Sequence, residues 1–282
     1  MDDNALKQWV GKTETLDDQV TLAPLKALAA TLDRNDPPPQ PGDAVAPCWQ
    51  WLYFLPLQPM SGVGPDGHPK RGGFLPPVPL PRRMWAGSRL QFNHALQAGA
   101  AITRTSQIAD VSLKQGRAGP LVFVRVHHET SDARGVAIVE DQDIVYRDMP
   151  QAGEPAPQAQ PARTDEQFSR RITPDPVLLF RYSALTFNGH RIHYDRPYAM
   201  GEEGYPGLVV HGPLIATLLI DQLRREYPKA RVKSFDFKAM SPLFDTAPFE
   251  VCGRLDGDVA SLWARGPQGQ LAMQASATIA IV

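Results

Sequence analysis

Within residues 188–212 the chain gathers three of its seven histidines, His190, His193 and His211, with Arg191, Tyr194 and Asp195 among them. An imidazole of near-neutral pKa can take a proton from water and give it back. An asparagine amide can hold that water by accepting a hydrogen bond, or orient a carbonyl by donating one. Asn188 and His193 stand five residues apart, in what reads as a loop. Large apolar residues flank these polar groups on both sides. A solvated loop would not need them, and a plain core segment would not hold so many polar groups. The combination predicts a buried polar site.

The second component is Val210-His211-Gly212-Pro213, which opens a predicted helix from about Gly212 to Glu226. Its first two turns, PLIATLLI, are apolar on nearly every side, as in a buried helix. Tyr227-Pro228 ends it. A helix start leaves peptide N–H groups unpaired at the positive end of the dipole. Gly212 has no Cβ, so a ligand can come close, and Pro213 suits the first turn. The Gly212 N–H is thereby fitted to a developing oxyanion, such as a thioester carbonyl becoming an enolate.

Two halves position this stretch. In the first, Leu6, Trp9 and Val10 suggest a short helix, and Leu22, Leu25, Leu28, Ala29 and Leu32 a longer one. Residues 49–57 alternate large apolar side chains and predict a strand. The Gly- and Pro-rich run 56–83 predicts a long loop, with a lid as its functional reading. Strands are predicted at 84–94, 101–114, 121–130 and 135–147, an antiparallel meander in which His127-His128 points one ring in and one out. The run MPQAGEPAPQAQPAR lacks large apolar residues after Met149 and reads as a linker. The expected division is 1–148, a linker at 149–168, and 169–282. In the second half an apolar segment at 177–182, the focal stretch and the buried helix precede strands at 231–240, 248–255, 259–265 and 271–281. Both halves read helix first and meander second, an α+β architecture with a curved antiparallel sheet around a central helix in each.

Composition sets bounds. With 282 residues, 43% hydrophobic and 21% charged, a proper core is within reach and disorder is not the default. A net charge of -1 speaks against a nucleic-acid binder. Cys48 and Cys252 are too few and too far apart for a disulfide framework or a cysteine zinc site, and no metal is expected. The opening MDDNALKQWV is no secretory signal, and no run approaches the roughly 18 apolar residues of a membrane span. With reduced cysteines, a cytoplasmic protein without membrane partners is the expectation.

The run SALTFNGHRIHYDRPYA, followed by GYPGLVVHGPL, resembles the hydratase-2 motif of MaoC-like hot-dog acyl-CoA hydratases. It is closer still to the branch of mesaconyl-C4-CoA or itaconyl-CoA hydratases and mitochondrial 3-hydroxyacyl-thioester dehydratases. GPLVFVRVHHETSDARG and the strand around residues 141–148 resemble the first half of that branch, so the resemblance spans nearly the whole chain. It implies a double hot dog, two antiparallel sheets each wrapped around a central helix. The first half would be degenerate and substrate-binding, and the second catalytic. It also implies reversible addition of water to a 2-enoyl thioester, with coenzyme A as part of the substrate and no separate cofactor. The family sets an Asp and a His five residues apart at the catalytic water. Here the His position is His193, the Asp position is Asn188, and the family's Asn-Pro is His190-Arg191. Either His193 moves the proton while Asn188 orients, or Asp195 takes part. An extended segment would put His193 and Asp195 on one side. Gly212 donates to the thioester oxygen. Arg191, His211 and Tyr194 are the expected substrate contacts, with Arg191, Arg82 or Arg83 for a substrate carboxylate. Arg224, Arg225 and Lys229 are either a solvated helix end or a site for the phosphates of coenzyme A.

Three functional readings follow. One is hydration of a short branched dicarboxylic enoyl-CoA, such as mesaconyl-C4-CoA or itaconyl-CoA, to citramalyl-CoA. Another is dehydration of longer 3-hydroxyacyl thioesters, which needs an apolar tunnel in the first half. The third is a non-catalytic acyl-CoA-binding module, for which the Asp-to-Asn departure argues. Sheet edges leave a homodimer open.

Overall fold

Alternating burial builds the strands of the first half. In β4 (Gly119–Asp132), Val122, Val124 and Val126 are buried while the residues between them are more open, the period of a pleated strand. The computed structural model describes residues 3–116, 119–149 and 159–281. A short helix α1 (Asp3–Lys7), strand β1 (Thr13–Gln19) and helix α2 (Leu22–Thr31) precede a meander of β2 (Arg82–Phe92), β3 (Ala101–Gly116), β4 and β5 (Gly135–Arg147). Then come β6 (Phe168–Ile172), α3 (Pro176–Leu185), α4 (Arg196–Gly201), α5 (Gly212–Glu226), β7 (Ala230–Ala239), β8 (Phe249–Asp256), β9 (Val259–Arg265) and β10 (Leu271–Ile281). Residues 150–158 of the linker predicted at 149–168 lie outside the described residues, as do residues 117–118 between β3 and β4.

The expected pair of separate sheets is one sheet. Its ten strands run β1-β3-β4-β5-β2-β7-β10-β9-β8-β6, with every pairing antiparallel. The two five-stranded halves meet at β2 and β7, where Gly87 to Gln91 pair with Lys238 to Ser234. The backbones close tightly at this seam. A Cβ on Gly87 would lie 2.3 Å from the Phe237 carbonyl oxygen, so only glycine fits.

Three local expectations change. Residues 49–52 form a 3-10 turn rather than a strand. Cys48 at φ 70 and Phe54 at φ 56 reverse the chain on either side. Trp49, Leu52, Tyr53 and Phe54 then enter one core from a compact turn. The strands β1 and β6 were not foreseen: TETLDDQ and FSRRI are polar because each ends the sheet and pairs on one side only. The apolar segment at 177–182 is helical. Asp175 caps it by accepting from the Leu178 N–H at 2.9 Å, and Pro176 starts it.

Helix α5 is the buried axis, with Leu214 through Leu223 all buried. It packs on β8, β9, β10, β6 and β7 and reaches β2 across the seam. One core cluster joins α5, α2 and both halves of the sheet. A second, smaller core covers the outer face of β3, β4 and β5, where Val78 and Leu80 of the long loop and Leu6 of α1 lie down. At roughly 1.5–3 kcal/mol per buried aliphatic side chain, these clusters dominate the stabilisation. Both cysteines are free and buried. Among the described residues no helix is long and apolar enough to cross a membrane.

The far end of α5 is fixed electrostatically. The fully buried Asp221 carboxylate takes Arg34 at 2.5 Å, Arg170 at 2.7 Å and Arg225 at 2.8 Å. Arg225 also donates to the Leu32 carbonyl at the end of α2. Removing one partner of such a group strands the others. Asp221→Ala is expected to cost about 3–5 kcal/mol in urea unfolding, whereas Asp165→Ala, in an exposed pair with Arg163, leaves the midpoint unchanged.

Candidate active site

His193 closes a 3-10 turn, Arg191–His193, so the segment is not extended and does not align His193 with Asp195. The turn is strapped to residue 209: the Val209 N–H donates to the Ile192 carbonyl at 3.0 Å, and His193 Nδ1 donates to the Val209 carbonyl at 2.7 Å. That bond puts the proton on Nδ1 and leaves the Nε2 lone pair free. Residue 209 is itself held by the strap at 243–245. Val209 bridges Phe244, and the Val210 N–H donates to the Leu243 carbonyl at 2.9 Å. This strap delivers Gly212 to the start of α5. As first residue of the helix, its N–H has no partner within the helix.

His193 and Gly212 line one cleft of about 2190 Å³ that runs between the two halves. Its size exceeds that of an ordinary small-ligand pocket and suits a ligand with a long tail. Asn188, His190, Arg191 and Tyr194 also line it. The Asn188 Oδ1 accepts from the His190 N–H at 3.0 Å, so the amide NH₂ is the end left for a ligand or water. The Tyr194 hydroxyl donates to the Gly189 carbonyl at 2.9 Å.

Two expected site residues stand elsewhere. His211 is fully buried and does not line the cleft. Its ring stacks on His193 at 3.6 Å, and its Nε2 meets Ser183 Oγ at 2.8 Å. It backs His193 instead of touching a ligand. Asp195 also lies off the cleft. It caps α4 by accepting from the Tyr198 N–H at 3.2 Å and pairs with Arg191 at 2.8 Å. That pair, with the Pro65 carbonyl at 3.0 Å, occupies the Arg191 guanidinium. Arg82 is likewise taken by Glu203. Arg83 lines the cleft and forms no ion pair among the described residues. Arg224 lies over Trp49 at 5.6 Å and Arg225 is bound to Asp221. Neither they nor Lys229 line the cleft, whereas Lys70, Arg83 and Arg147 do.

The first half contributes more than sequence reasoning found. The long loop folds back at residues 63–69, where Val63 bridges Pro69, and docks on residues 189–191. The Arg191 N–H donates to the Asp66 carbonyl at 2.9 Å. Gly67, at φ +89, packs so closely that a Cβ there would sit 1.7 Å from the Gly189 carbonyl oxygen. His68 thereby enters the cleft with its ring 4.0 Å from His190. The His190 ring lies 5.5 Å from His193. Among the described residues, Asp66, His68 and His190 are the one set of metal-ligating type, with one donor atom each inside 4.8 Å. Asp66 Oδ2 and His68 Nδ1 are bonded to each other at 2.9 Å, which makes the set a hydrogen-bonded group and leaves His68 Nε2 unclaimed by Asp66. The only sequence signal for it was the Gly- and Pro-rich loop.

The first-half wall of the cleft is mainly apolar, with Leu16, Phe54, Phe123 and Ile144 among its lining, and a few polar groups are set into it. Arg104 forms no ion pair or hydrogen bond among the described residues and lies over Phe54 at 4.9 Å. Both amide atoms of the buried Gln50 are unpartnered. Glu140 is held by Trp51 at 3.0 Å and Ser88 at 2.7 Å, and burial pushes its pKa up.

Burial disfavours the charged form of five imidazoles. It lowers His193 to about 4, against the Val209 bond that would raise it. It lowers His128 to about 4, helped by the charge of Arg104. It depresses His190, His68 and His211 as well. A His whose folded pKa lies below its ordinary value takes up a proton more readily when unfolded. Stability is therefore complete above about pH 6.5 and is lost as pH falls toward 4. Urea midpoints are expected to fall over that window, with a slope of up to about 1.4 kcal/mol per pH unit for each such histidine.

A family model described as hydroxyacyl-thioester dehydratase type 2 matches residues 48–245. The chain is 47% identical over 271 residues to a mesaconyl-C(4)-CoA hydratase of Chloroflexus aurantiacus, covering 95% of each. Its fold matches a MaoC-like dehydratase from Phytophthora capsici with TM-score 0.70 and 14% identity, covering 99% of this chain and 98% of that one. A Mycobacterium tuberculosis protein described as a double hot dog matches with TM-score 0.58 and 12% identity, covering 96% of each. The ten-stranded sheet with its buried helix α5 is thus a double hot dog of the MaoC-like kind.

Proposed function

Because the chain belongs to the hydroxyacyl-thioester dehydratase type 2 family, and so to the hydratases and dehydratases of acyl thioesters, we propose that it adds water reversibly to a short, branched, dicarboxylic 2-enoyl-CoA. Mesaconyl-C4-CoA is the first choice and itaconyl-CoA the second, with citramalyl-CoA as product. The observation that carries this reading is the free Nε2 of a neutral His193 on the same cleft as the Gly212 N–H.

The chemistry runs as follows. The Asn188 amide and His193 Nε2 hold a water. Nε2 takes its proton as the oxygen bonds to Cβ. The π electrons move toward the thioester, and the Gly212 N–H stabilises the oxygen as charge develops. Such a donor is worth about 2.7–4 kcal/mol where it has been removed from a protease. Protonation at Cα completes the addition. Coenzyme A enters as part of the substrate, and its phosphates find Lys70 and Arg147, cations of the cleft lining.

Two features support a short acyl group bearing a carboxylate over a long alkyl chain. Set into a largely apolar first-half wall, Arg104, Gln50 and Glu140 present polar groups that a long alkyl chain would leave unsatisfied. Arg83, of the three arginines weighed for the carboxylate, has no ion pair, and its charge acts on His68 and His190 beside His193. An arginine without an ion-pair partner among the described residues suits a carboxylate.

His193→Ala is expected to lower turnover of enoyl-CoA by at least about 100-fold, followed by loss of enoyl absorbance, with the circular dichroism spectrum unchanged. Near-full activity removes the assignment. Arg83→Gln is expected to lower kcat/KM for mesaconyl-C4-CoA at least about tenfold more than for crotonyl-CoA; equal losses would assign Arg83 to the coenzyme A portion.

A further inference from the structure

Hydration moves two protons, one off water and one onto Cα, and of the expected stretch the imidazoles of His193 and His190 line the cleft, His190 being held strongly neutral by burial and by its neighbours His68 and His193. His193 Nδ1 is committed to the Val209 carbonyl. Asn188 cannot exchange protons, Asp195 is bound to α4 and Arg191, and His211 is off the cleft. The docked loop of the first half brings a second group. Asp66 Oδ1 accepts from the His68 N–H at 3.0 Å and Oδ2 from His68 Nδ1 at 2.9 Å. The carboxylate thus fixes the ring and leaves its Nε2 for the cleft, which His68 lines. The loop is seated by contacts that do not involve the imidazole: Arg191 N–H on the Asp66 carbonyl, Gly67 on Gly189, and Arg191 Nη1 on the Pro65 carbonyl at 3.0 Å.

We propose that His68 is the second proton-transfer residue of this site and Asp66 its positioning residue, so that the catalytic pair is assembled from both halves. The proposal rests on the hydratase reading above. In hydration, His193 Nε2 takes the water proton as the O–Cβ bond forms. The C=C π pair moves to give the enolate at Gly212, and His68 Nε2–H gives its proton to Cα. One proton thus leaves His68 and one arrives on His193, and exchange through His190 or solvent resets the pair. Dehydration is the reverse, with His68 removing the Cα proton. Burial and the charge of Arg83 make the protonated His68 ring the minor form, and the Asp66 carboxylate works against them, so the ring is charged as a transient, reactive state. Burial opposes ionisation of Asp66, yet its contacts with His68 hold it well below the ordinary carboxylate range.

The test uses the full chain with mesaconyl-C4-CoA and crotonyl-CoA, comparing wild type with His193→Ala, His68→Ala, Asp66→Asn and Gly67→Ala. His68→Ala is expected to lose about 100-fold in kcat with KM within a few-fold. It should also lose Cα hydrogen–deuterium exchange of the hydroxyacyl product, and regain part of both with added imidazole. Asp66→Asn is expected to lose less and to shift the pH profile. Gly67→Ala, which unseats the loop but keeps the ring, gains nothing from imidazole. The proposal is overturned if His68→Ala keeps kcat within threefold while His193→Ala is inactive, if only KM moves, or if a chelator abolishes wild-type activity and zinc restores it. Wild type inactive on every enoyl-CoA overturns the hydratase reading and the proposal together.

Discussion

Desolvation of one imidazole is the condition on which the site depends. His193 lies between the His211 ring, the Val209 carbonyl and the cleft, and burial keeps it neutral. A neutral ring has one donor and one acceptor nitrogen, and the Val209 carbonyl claims the donor. The acceptor is left facing the cleft, where a water can be polarised. The cost is a protein that holds several uncharged histidines and must keep protons away from them.

The seam between β2 and β7 makes the cleft a shared one. Trp85 on β2 and Gly212 on α5 come together there: a Cβ at Gly212 would be 3.8 Å from the Trp85 carbonyl oxygen. The helix that offers the N–H therefore belongs to one half, and part of the wall that shapes the ligand belongs to the other. The long loop crosses the same boundary. Val78 and Leu80 anchor its later part in the outer core, and Gly67 lets its tip lie against Gly189. An anchored loop can place a side chain more accurately than a free one.

The meander strands and α5 were legible because their signals are local. A strand buried on one face alternates, and a helix buried all round has no polar stripe. The edge strands β1 and β6 carried no such signal, since a strand paired on one side can remain polar. Residues 49–52 misled because large apolar residues mark a core without stating the backbone path; the positive φ of Cys48 and Phe54 decided it. His193, Asn188 and Gly212 were found from chemical type, spacing and the resemblance, and all three line the cleft. Asp195 and His211 shared that chemistry, but a cap and a ring stack hold them off it.

Sequence alone determined the double architecture, the buried helix and the kind of chemistry the focal stretch can carry, because these rest on hydrophobic periodicity and residue type. Tertiary structure alone decided that the two sheets join into one, that Asp66 and His68 reach the site from more than a hundred residues away, and which arginines are already paired. Those outcomes depend on which surfaces meet, and the pairing of distant charges and backbones leaves no periodic trace in the chain.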